Sequence, residues 1–577
     1  MSGSGLRGAT RWAPWLVAAA VLVFYARVLG RPFTSEDFLL IRFLGENPPW
    51  RHLADLFTSP WLGISVVKFY RPVSTLLYGL EIAAFGADPV GYNVVHVLVH
   101  TLNSVLVWAI ARRLGRGLPV PPATDEVSPL AAALLFAIYP LHPNAVIFGA
   151  SFATLFAASF LFGSLLAYLR SARALALGLF ALALGSYEAA VVFPAVLAAS
   201  DLLLGVKAGD RRRMPRSVPF FVLAGLYLLL RKSLFGVFIG GYEEQGRSLL
   251  SPQIGPLVRD LATSILRLHV PIYDWTPGPV ALGVACLVVL GLPLAFLWHR
   301  APLRAWLFAW IWTLAFLAPF AFRPSVPANG RYWYLAVAGI ALSLSAVIRA
   351  RRGSPAPEVL ALVGLFWAFL LHGYLDVYQE AGETARTIQR ELVRTAAGSA
   401  GVRFLTGHPD FLTNRAGVPV AGVLRYGVWD AVHPPFAQAA VSVYPLPPLQ
   451  GVELLPILRG APGSRIEAWD AQLRTIRPVT PPAGPEPAEL PVVGDAVQVP
   501  PGAFARFRLI VLSRGNPAVV EIGAEAVQGG VLRVPFPEEF CQTMDRLYGG
   551  EMFWWIEARD AAGAVSGFTA LQSVSLN

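Results

Sequence analysis

The feature that most constrains this chain is a recurrence of apolar segments through its first 380 residues. They run roughly 13–30, 91–111, 129–141, 144–169, 174–185, 187–206, 217–236, 277–298, 305–322, 332–349 and 357–376. A helix needs about 20 apolar residues to cross a bilayer, so the pattern predicts about eleven spans. The third and fifth segments are short for a crossing and are expected to tilt, break at Pro140 and Pro143, or re-enter. A 577-residue chain that is 55% hydrophobic and only 14% charged is too apolar for a soluble enzyme. The first segment lacks a small-residue cleavage site and reads as a retained anchor.

Charge orders these spans. Residues 380–577 carry 16 Arg, no Lys and 19 acidic residues, a net −3, which leaves +13 for the first 379 residues. That excess sits in alternate loops, at Arg7 and Arg11, Arg112–Arg113–Arg116, Arg170 and Arg173, the cluster around Arg212, Arg300 and Arg304, and Arg349–Arg352, whereas the loops at 139–144 and 185–187 carry no Lys or Arg. Cytoplasmic loops of membrane proteins are enriched in Lys and Arg. The alternation predicts a cytoplasmic N-terminus and explains the basic excess by topology, without a nucleic-acid partner. The expected organisation is a membrane region at 1–378 with long outer loops at 31–90 and 237–276, a connecting helix at 379–399, and a β-rich, sandwich-like extracytoplasmic domain at 400–577. The last rests on short β-like runs broken by Pro and Gly. The two cysteines, Cys286 and Cys541, form no disulfide framework, and no Walker loop or Rossmann glycine pattern is present.

Within that frame the outstanding stretch is Arg31-Pro32-Phe33-Thr34-Ser35-Glu36-Asp37-Phe38, directly after the first apolar segment. Two adjacent carboxylates at a membrane edge are costly to desolvate and are commonly functional. Thr34 with Asp37 three residues on also fits a capping box that opens a helix, so a structural and a chemical reading stand side by side. Asn93, His96, His100 and Asn103 follow at helical spacing and share one face. Two histidines four apart can ligate a metal, but no third ligand is evident, which favours a polar stripe bonding neighbouring helices. Glu188 follows Tyr187 and His142 lies in the turn at 136–146. On the face where the orientation rule disfavours cations stand Arg71 in Tyr70-Arg71-Pro72, Arg231, Arg323, and Arg331 before Tyr332-Trp333-Tyr334. A snorkelling Arg explains each singly. Together, near carboxylates, they suit a phosphate-bearing ligand.

Taken in order, these features resemble the GT-C fold glycosyltransferases. The paired acids, Tyr-Arg-Pro, Gly-Tyr-Asn with His96 and His100, the 136–146 turn, Tyr-Glu before Ala-Val-Val-Phe-Pro, and Arg-Tyr-Trp-Tyr are similar to protein O-mannosyltransferase-like enzymes, including the membrane half of the transmembrane and tetratricopeptide proteins. The resemblance covers about residues 10–350. It implies sugar transfer from a polyprenyl-phosphate donor to a protein or glycan acceptor at the outer face of a bacterial-type cytoplasmic membrane. It places the acidic motif on Glu36 and Asp37, where relatives carry Asp-Asp or Asp-Glu, and no tetratricopeptide repeats follow. Asp37 is the first candidate for general base and Glu36 the alternative. Arg331, with Arg71 or Arg231, would bind the donor phosphate. Tyr70, Asn93, His96, His100, His142 and Glu188 would support the site. No resident metal site is assigned, although a divalent ion accompanying the lipid donor stays open. A lipid or polymer transporter and a non-catalytic envelope scaffold are the rival readings. The clustering of acids at helix ends, not at mid-span, favours the enzyme.

Overall fold

The computed structural model describes residues 3–64, 68–115, 124–204, 216–238, 254–273, 278–291, 303–320, 326–348, 356–396, 402–438, 442–449, 451–461, 464–479, 487–493, 496–500, 504–534 and 538–575. Arg323, the basic loop around Arg212 and most of 480–491 lie outside them. The N-terminal two-thirds is a bundle of apolar helices. Five of these are long and apolar enough to cross a membrane: Pro89–Gly115, Gly149–Leu169, Val218–Phe235, Leu303–Phe320 and Pro357–Ala396. Shorter apolar helices occupy Trp12–Val28, Pro72–Phe85, Val127–Ala137 and Arg173–Leu184.

The solvent for which this bundle is built shows in helix Pro89–Gly115. Asn93, His96, His100 and Asn103 are buried, while Val94, Leu98 and Leu102 on the other side are exposed. In water the polar face would point out. Here polar groups bond to other helices and aliphatic groups cover the outside, as hydrocarbon surroundings demand. The same holds for Val222, Leu226 and Leu229 of Val218–Phe235 and for Leu362, Leu365 and Phe369 of the last helix. The chain is a multi-pass membrane protein.

Segment 31–90, expected as a loop with interfacial helices, contains helices Glu36–Glu46, Leu53–Thr58 and Pro72–Phe85. Pro72 starts the last of these at its first turn, where its missing N–H costs nothing. Residues 254–269, read from sequence as part of a loop, form the helix Ile254–His269. The last membrane helix and the expected connecting helix are one continuous element, Ala356–Ala396. At 1.5 Å per residue its 41 residues span about 60 Å, twice the hydrocarbon thickness. The helix is thus longer than a crossing needs, and its second half, which carries Glu380, Glu383, Arg386, Arg390, Glu391 and Arg394, bonds to the C-terminal region. Gln389 Nε2 donates to Ala431 O (2.7 Å), and Arg403 Nη1 donates to Leu392 O near the helix end (2.8 Å).

The C-terminal region is β-rich but not a simple two-sheet sandwich. Strands Val443–Pro445, Arg403–Thr406 and Arg465–Asp470 run parallel in that spatial order, with Thr475–Pro478 added antiparallel. A larger sheet is centred on Arg506–Leu512 and Glu551–Arg559, with Leu509 opposite both Val520 and Ile556. Side chains alternate across a strand. Phe507, Leu509 and Val511 therefore enter one core with Leu532 and Trp554, while Ile510 and Leu512 enter another with Phe404, Tyr444 and Trp555. The central sheet is buried on both faces, which is why Phe507–Arg508–Leu509–Ile510–Val511–Leu512 reads as nearly unbroken apolar sequence. A third set, including Leu405, Val420, Leu424, Val432 and Trp469, packs into the same core as the membrane helices.

The docking of this region is anchored by Arg42. Its Nε donates to Asp430 Oδ1 (2.5 Å), Nη2 to Leu547 O (2.7 Å) and Nη1 to Glu46 Oε2 (2.8 Å), with the rings of Trp429 and Tyr548 at 4.8 and 5.5 Å. Asp430 is fully buried. Arg42→Ala strands that carboxylate and is expected to cost about 3–5 kcal/mol. In pulse proteolysis of the purified protein, residues 402–575 should become cleavable while the membrane helices stay protected. A parental cleavage pattern would show that the pair does not hold the two regions together.

Candidate functional site

The site begins where the first helix ends. After Gly3–Tyr25 and the turn Ala26–Val28 the chain reverses, and the guanidinium of Arg31 is almost wholly buried. It donates to Tyr378 O from Nε (3.0 Å), to Ile147 O from Nη1 (2.7 Å) and to Thr34 Oγ1 from Nη2 (2.6 Å). Thr34 N–H donates to Asp37 Oδ2 (3.1 Å), and Asp37 N–H to Thr34 O (3.0 Å). Asp37 Oδ1 accepts from Ala150 N–H (3.2 Å). The carboxylate thus closes the start of helix Glu36–Glu46 and pins the start of helix Gly149–Leu169. Burial pushes the Asp37 pKa up to about 6, against the opposing pull of the Arg31 charge and the two backbone N–H groups.

Between Thr34 and Glu36 stands Ser35, at φ 49° and ψ −122°, a backbone conformation that costs a non-glycine residue of order 1–3 kcal/mol. The C-terminal region holds it there. Ser35 N–H donates to Val423 O (2.8 Å) and its Oγ accepts from Tyr426 N–H (3.4 Å).

Successive helical residues point about 100° apart, so the paired acids do not share a destination. Asp37 is buried in the protein. Glu36 is half-buried and lines a cavity of about 190 Å³ together with Arg71, Arg331, Tyr187, Tyr332 and Tyr426. Arg71 is oriented by Glu188, to which it donates from Nε (3.2 Å to each oxygen) and Nη2 (3.0 Å), and it lies 4.0 Å from the Phe69 ring centre. Glu188 Oε1 also accepts from Tyr70 N–H (2.9 Å). Arg331 is held by its backbone N–H on Asn144 Oδ1 (3.1 Å) and lies over the rings of Tyr332 (5.0 Å) and Phe148 (5.6 Å). One carboxylate and two guanidiniums thus converge on an aromatic-walled space. The far wall is built by the C-terminal region, through Asn516, Met544, Leu547 and Tyr548.

Two of the residues singled out in the sequence lie away from this cavity. Asp37, the first candidate for general base, does not line the cavity and has both oxygens engaged by backbone N–H groups. Arg231, expected beside the donor phosphate, is also outside the cavity lining. It is buried, donating from Nη2 to Lys68 O (2.8 Å) and from Nη1 to Tyr227 OH (3.4 Å). It braces the segment leading into Arg71.

The polar stripe serves as inter-helix bonding. Asn93 Nδ2 donates to Leu29 O (3.0 Å) and Arg31 O (3.1 Å). His96 Nε2 pairs with Glu81 Oε2 (3.1 Å). His100 bonds Tyr334 OH through Nδ1 (2.7 Å) and Ala137 O through Nε2 (3.1 Å), and His142 packs against His100 and Tyr334 with ring centres 5.2 and 4.5 Å away. Among the described residues no three His, Cys, Asp or Glu side chains converge as a metal site. Sequence reasoning assigned no role to Arg31, Glu81, Tyr426 or Asn516. The first two carried a signal, as charges at the edge of or inside apolar stretches. Tyr426 and Asn516 carried none, because only tertiary docking brings them to Glu36.

No family model matches the chain. Among curated proteins it is similar to protein O-mannosyl-transferase Tmtc1 of Drosophila melanogaster, 32% identical over 134 residues, which is 22% of this chain and 15% of that protein. It is also similar to protein O-mannosyl-transferase TMTC4 of Homo sapiens, 30% identical over 179 residues, 28% of this chain and 23% of that protein. The same holds for tmtc2 of Xenopus laevis, 32% identical over 143 residues, 23% and 16%. The resemblance to protein O-mannosyltransferases is therefore present, and the matched part spans less than a quarter of these relatives' length. Two solved structures align at a TM-score of 0.37. One is ArnT from Cupriavidus metallidurans bound to undecaprenyl phosphate, 13% identical, covering 80% of this chain and 93% of that one. The other is the Archaeoglobus fulgidus oligosaccharyltransferase tethered with an acceptor peptide, 12% identical, covering 69% and 62%.

The buried Asp37 has a consequence for stability. Its native pKa of about 6 exceeds the ordinary carboxylate value of about 3.9. Between those values the native state holds a proton that the unfolded state has lost, so stability falls as pH rises from about 4 to about 6 and levels off above. Asp37→Asn removes this term. The melting temperature of the variant should rise relative to the parent across that window. Parallel profiles for the two proteins would mean that Asp37 titrates normally.

Proposed function

We propose that this chain is a membrane glycosyltransferase of the GT-C type that moves a sugar, of the mannose class by likeness to its relatives, from a polyprenyl-phosphate donor to a protein hydroxyl. The observation that carries the reading is the convergence of Glu36, Arg71 and Arg331 on one cavity at the ends of apolar helices. An enzyme that inverts at the anomeric carbon needs a base on one side of that carbon and cations on the other. Glu36 is the base: it takes the acceptor hydroxyl proton as the oxygen attacks C1. The bond from C1 to the phosphate oxygen breaks, and its electron pair leaves on the polyprenyl phosphate. Arg71 and Arg331 neutralise the charge that develops there, where preorganised donors contribute most. Asp37 is a positioning residue, fixing the helix start that aims Glu36. The prenyl chain remains in the bilayer while the headgroup reaches the cavity, which lies on the outer side of the cytoplasmic membrane if the basic loops are inside.

Glu36→Gln separates the roles. It keeps size and hydrogen bonding but cannot accept the proton. Sugar transfer from a polyprenyl-phosphate donor in membranes should fall about 10²-fold or more with unchanged melting. Asp37→Asn should have a smaller effect on transfer. Parental transfer by the Glu36 variant would remove it as the base.

Arg331→Ala should weaken donor binding by about tenfold or more, and by more than Arg331→Lys, since a guanidinium engages phosphate oxygens bidentately. Equal donor affinity in all three proteins would take Arg331 out of the phosphate site and leave Arg71.

A further inference from the structure

A second concentration of guanidinium groups lies at the opposite ends of the helices that build the candidate site. Helix Pro89–Gly115 touches the site through Asn93, and helix Gly149–Leu169 through Ala150 N–H. At 1.5 Å per residue, Arg112 lies about 30 Å from Asn93, and Arg170 about 30 Å from Ala150. That is one hydrocarbon thickness. Between these far ends is a small cavity of about 90 Å³, lined by Trp108, Ala109, Arg112, Arg113, Leu166 and Arg170.

Its chemistry is one-sided. Arg113 donates from Nε and Nη2 to Leu169 O (3.3 and 3.2 Å), which caps the second helix and fixes the guanidinium at the cavity edge. Arg112 lies over the Trp108 ring, 5.3 Å from its centre. The Trp108 Nε1–H is buried and has no acceptor among the described residues. Among the described residues no carboxylate lines the space. The orientation rule accounts for basic residues in these loops. It does not account for Arg112, Arg113 and Arg170, from the ends of two helices, lining one cavity with Trp108, whose buried N–H has no acceptor among the described residues. Such a set of donors, at the depth of a membrane surface, matches a phosphate ester whose acyl chains lie against Trp108 and Ala109, the half-buried apolar part of the lining.

We propose that this cleft binds the phosphate of an anionic phospholipid headgroup in the leaflet opposite the candidate active site. The cleft shares no residue with the cavity of Glu36, so the proposal stands or falls independently of the glycosyltransferase reading. Its test uses the 577-residue protein, delipidated in neutral detergent and offered phosphatidylglycerol or phosphatidylcholine at equal concentration, with bound lipid counted by native mass spectrometry. The parent should retain phosphatidylglycerol about tenfold better, and Arg112→Ala/Arg170→Ala protein should lose that preference. Trp108→Phe keeps the ring and removes only the N–H. It should lower phosphatidylglycerol retention severalfold, and it serves where the double variant fails to fold. Equal retention of the two lipids by the parent would overturn the proposal, as would parental preference in folded variants. Displacement of the lipid by equimolar inorganic phosphate would overturn the lipid assignment and make this a free-anion site.

Discussion

The candidate site depends on one buried guanidinium. Arg31 reaches the carbonyl of Tyr378 on the long final helix, the carbonyl of Ile147 in the turn before Gly149–Leu169, and the hydroxyl of Thr34. Three separate parts of the chain are thereby held at the exit of the first helix. A charge taken out of water must be satisfied by dipoles or an opposite charge. Arg31 uses both, since Asp37 lies within its field. The carboxylate in turn accepts from the backbone N–H groups of Thr34 and Ala150. Each member satisfies the next, and Glu36, one residue away, is presented to the cavity from the turn that this network holds.

That backbone is strained at Ser35, and the restraint comes from Val423 and Tyr426, almost 400 residues later. The C-terminal region is therefore part of the site and not an appendage to it. It holds the turn that aims Glu36 and, through Asn516, Met544, Leu547 and Tyr548, supplies one wall of the cavity. The Arg42–Asp430 pair and the stack of Trp429 and Tyr548 secure the docking.

The helical bundle also explains why its polar residues face inward. With lipid outside, an Asn or His on the outer face would lose its hydrogen bonds with no water to replace them. The stripe at Asn93, His96, His100 and Asn103 binds helix to helix instead. The Ala356–Ala396 helix carries the consequences outward. It is lipid-facing at Leu362 and Phe369, and it is bonded at Gln389 to the β-rich region.

Much of this was legible in the chain itself. The recurrence of apolar segments marks a multi-pass membrane chain, because hydrocarbon thickness sets their length, although five of the described helices, against about eleven expected, are long and apolar enough to cross. The spacing of Asn93, His96, His100 and Asn103 identifies an inward face, and Thr34 with Asp37 announces a helix start, because both follow from helical periodicity. Arg71, Arg231, Arg323 and Arg331 stand out in the sequence as cations where the orientation rule disfavours them, but nothing in that pattern says which of them line one cavity. Three things were decided only by tertiary structure. Which of two adjacent acids faces the cavity depends on how helix Glu36–Glu46 is rotated, and Arg31, Ala150 and Val423 set that from distant positions. Arg231 and Arg331 look alike in sequence, yet one braces Lys68 and the other lines the cavity, because burial is a property of packing. The contribution of Tyr426 and Asn516 had no local signal at all, since a residue becomes part of a site across hundreds of positions only when two cores are pressed together.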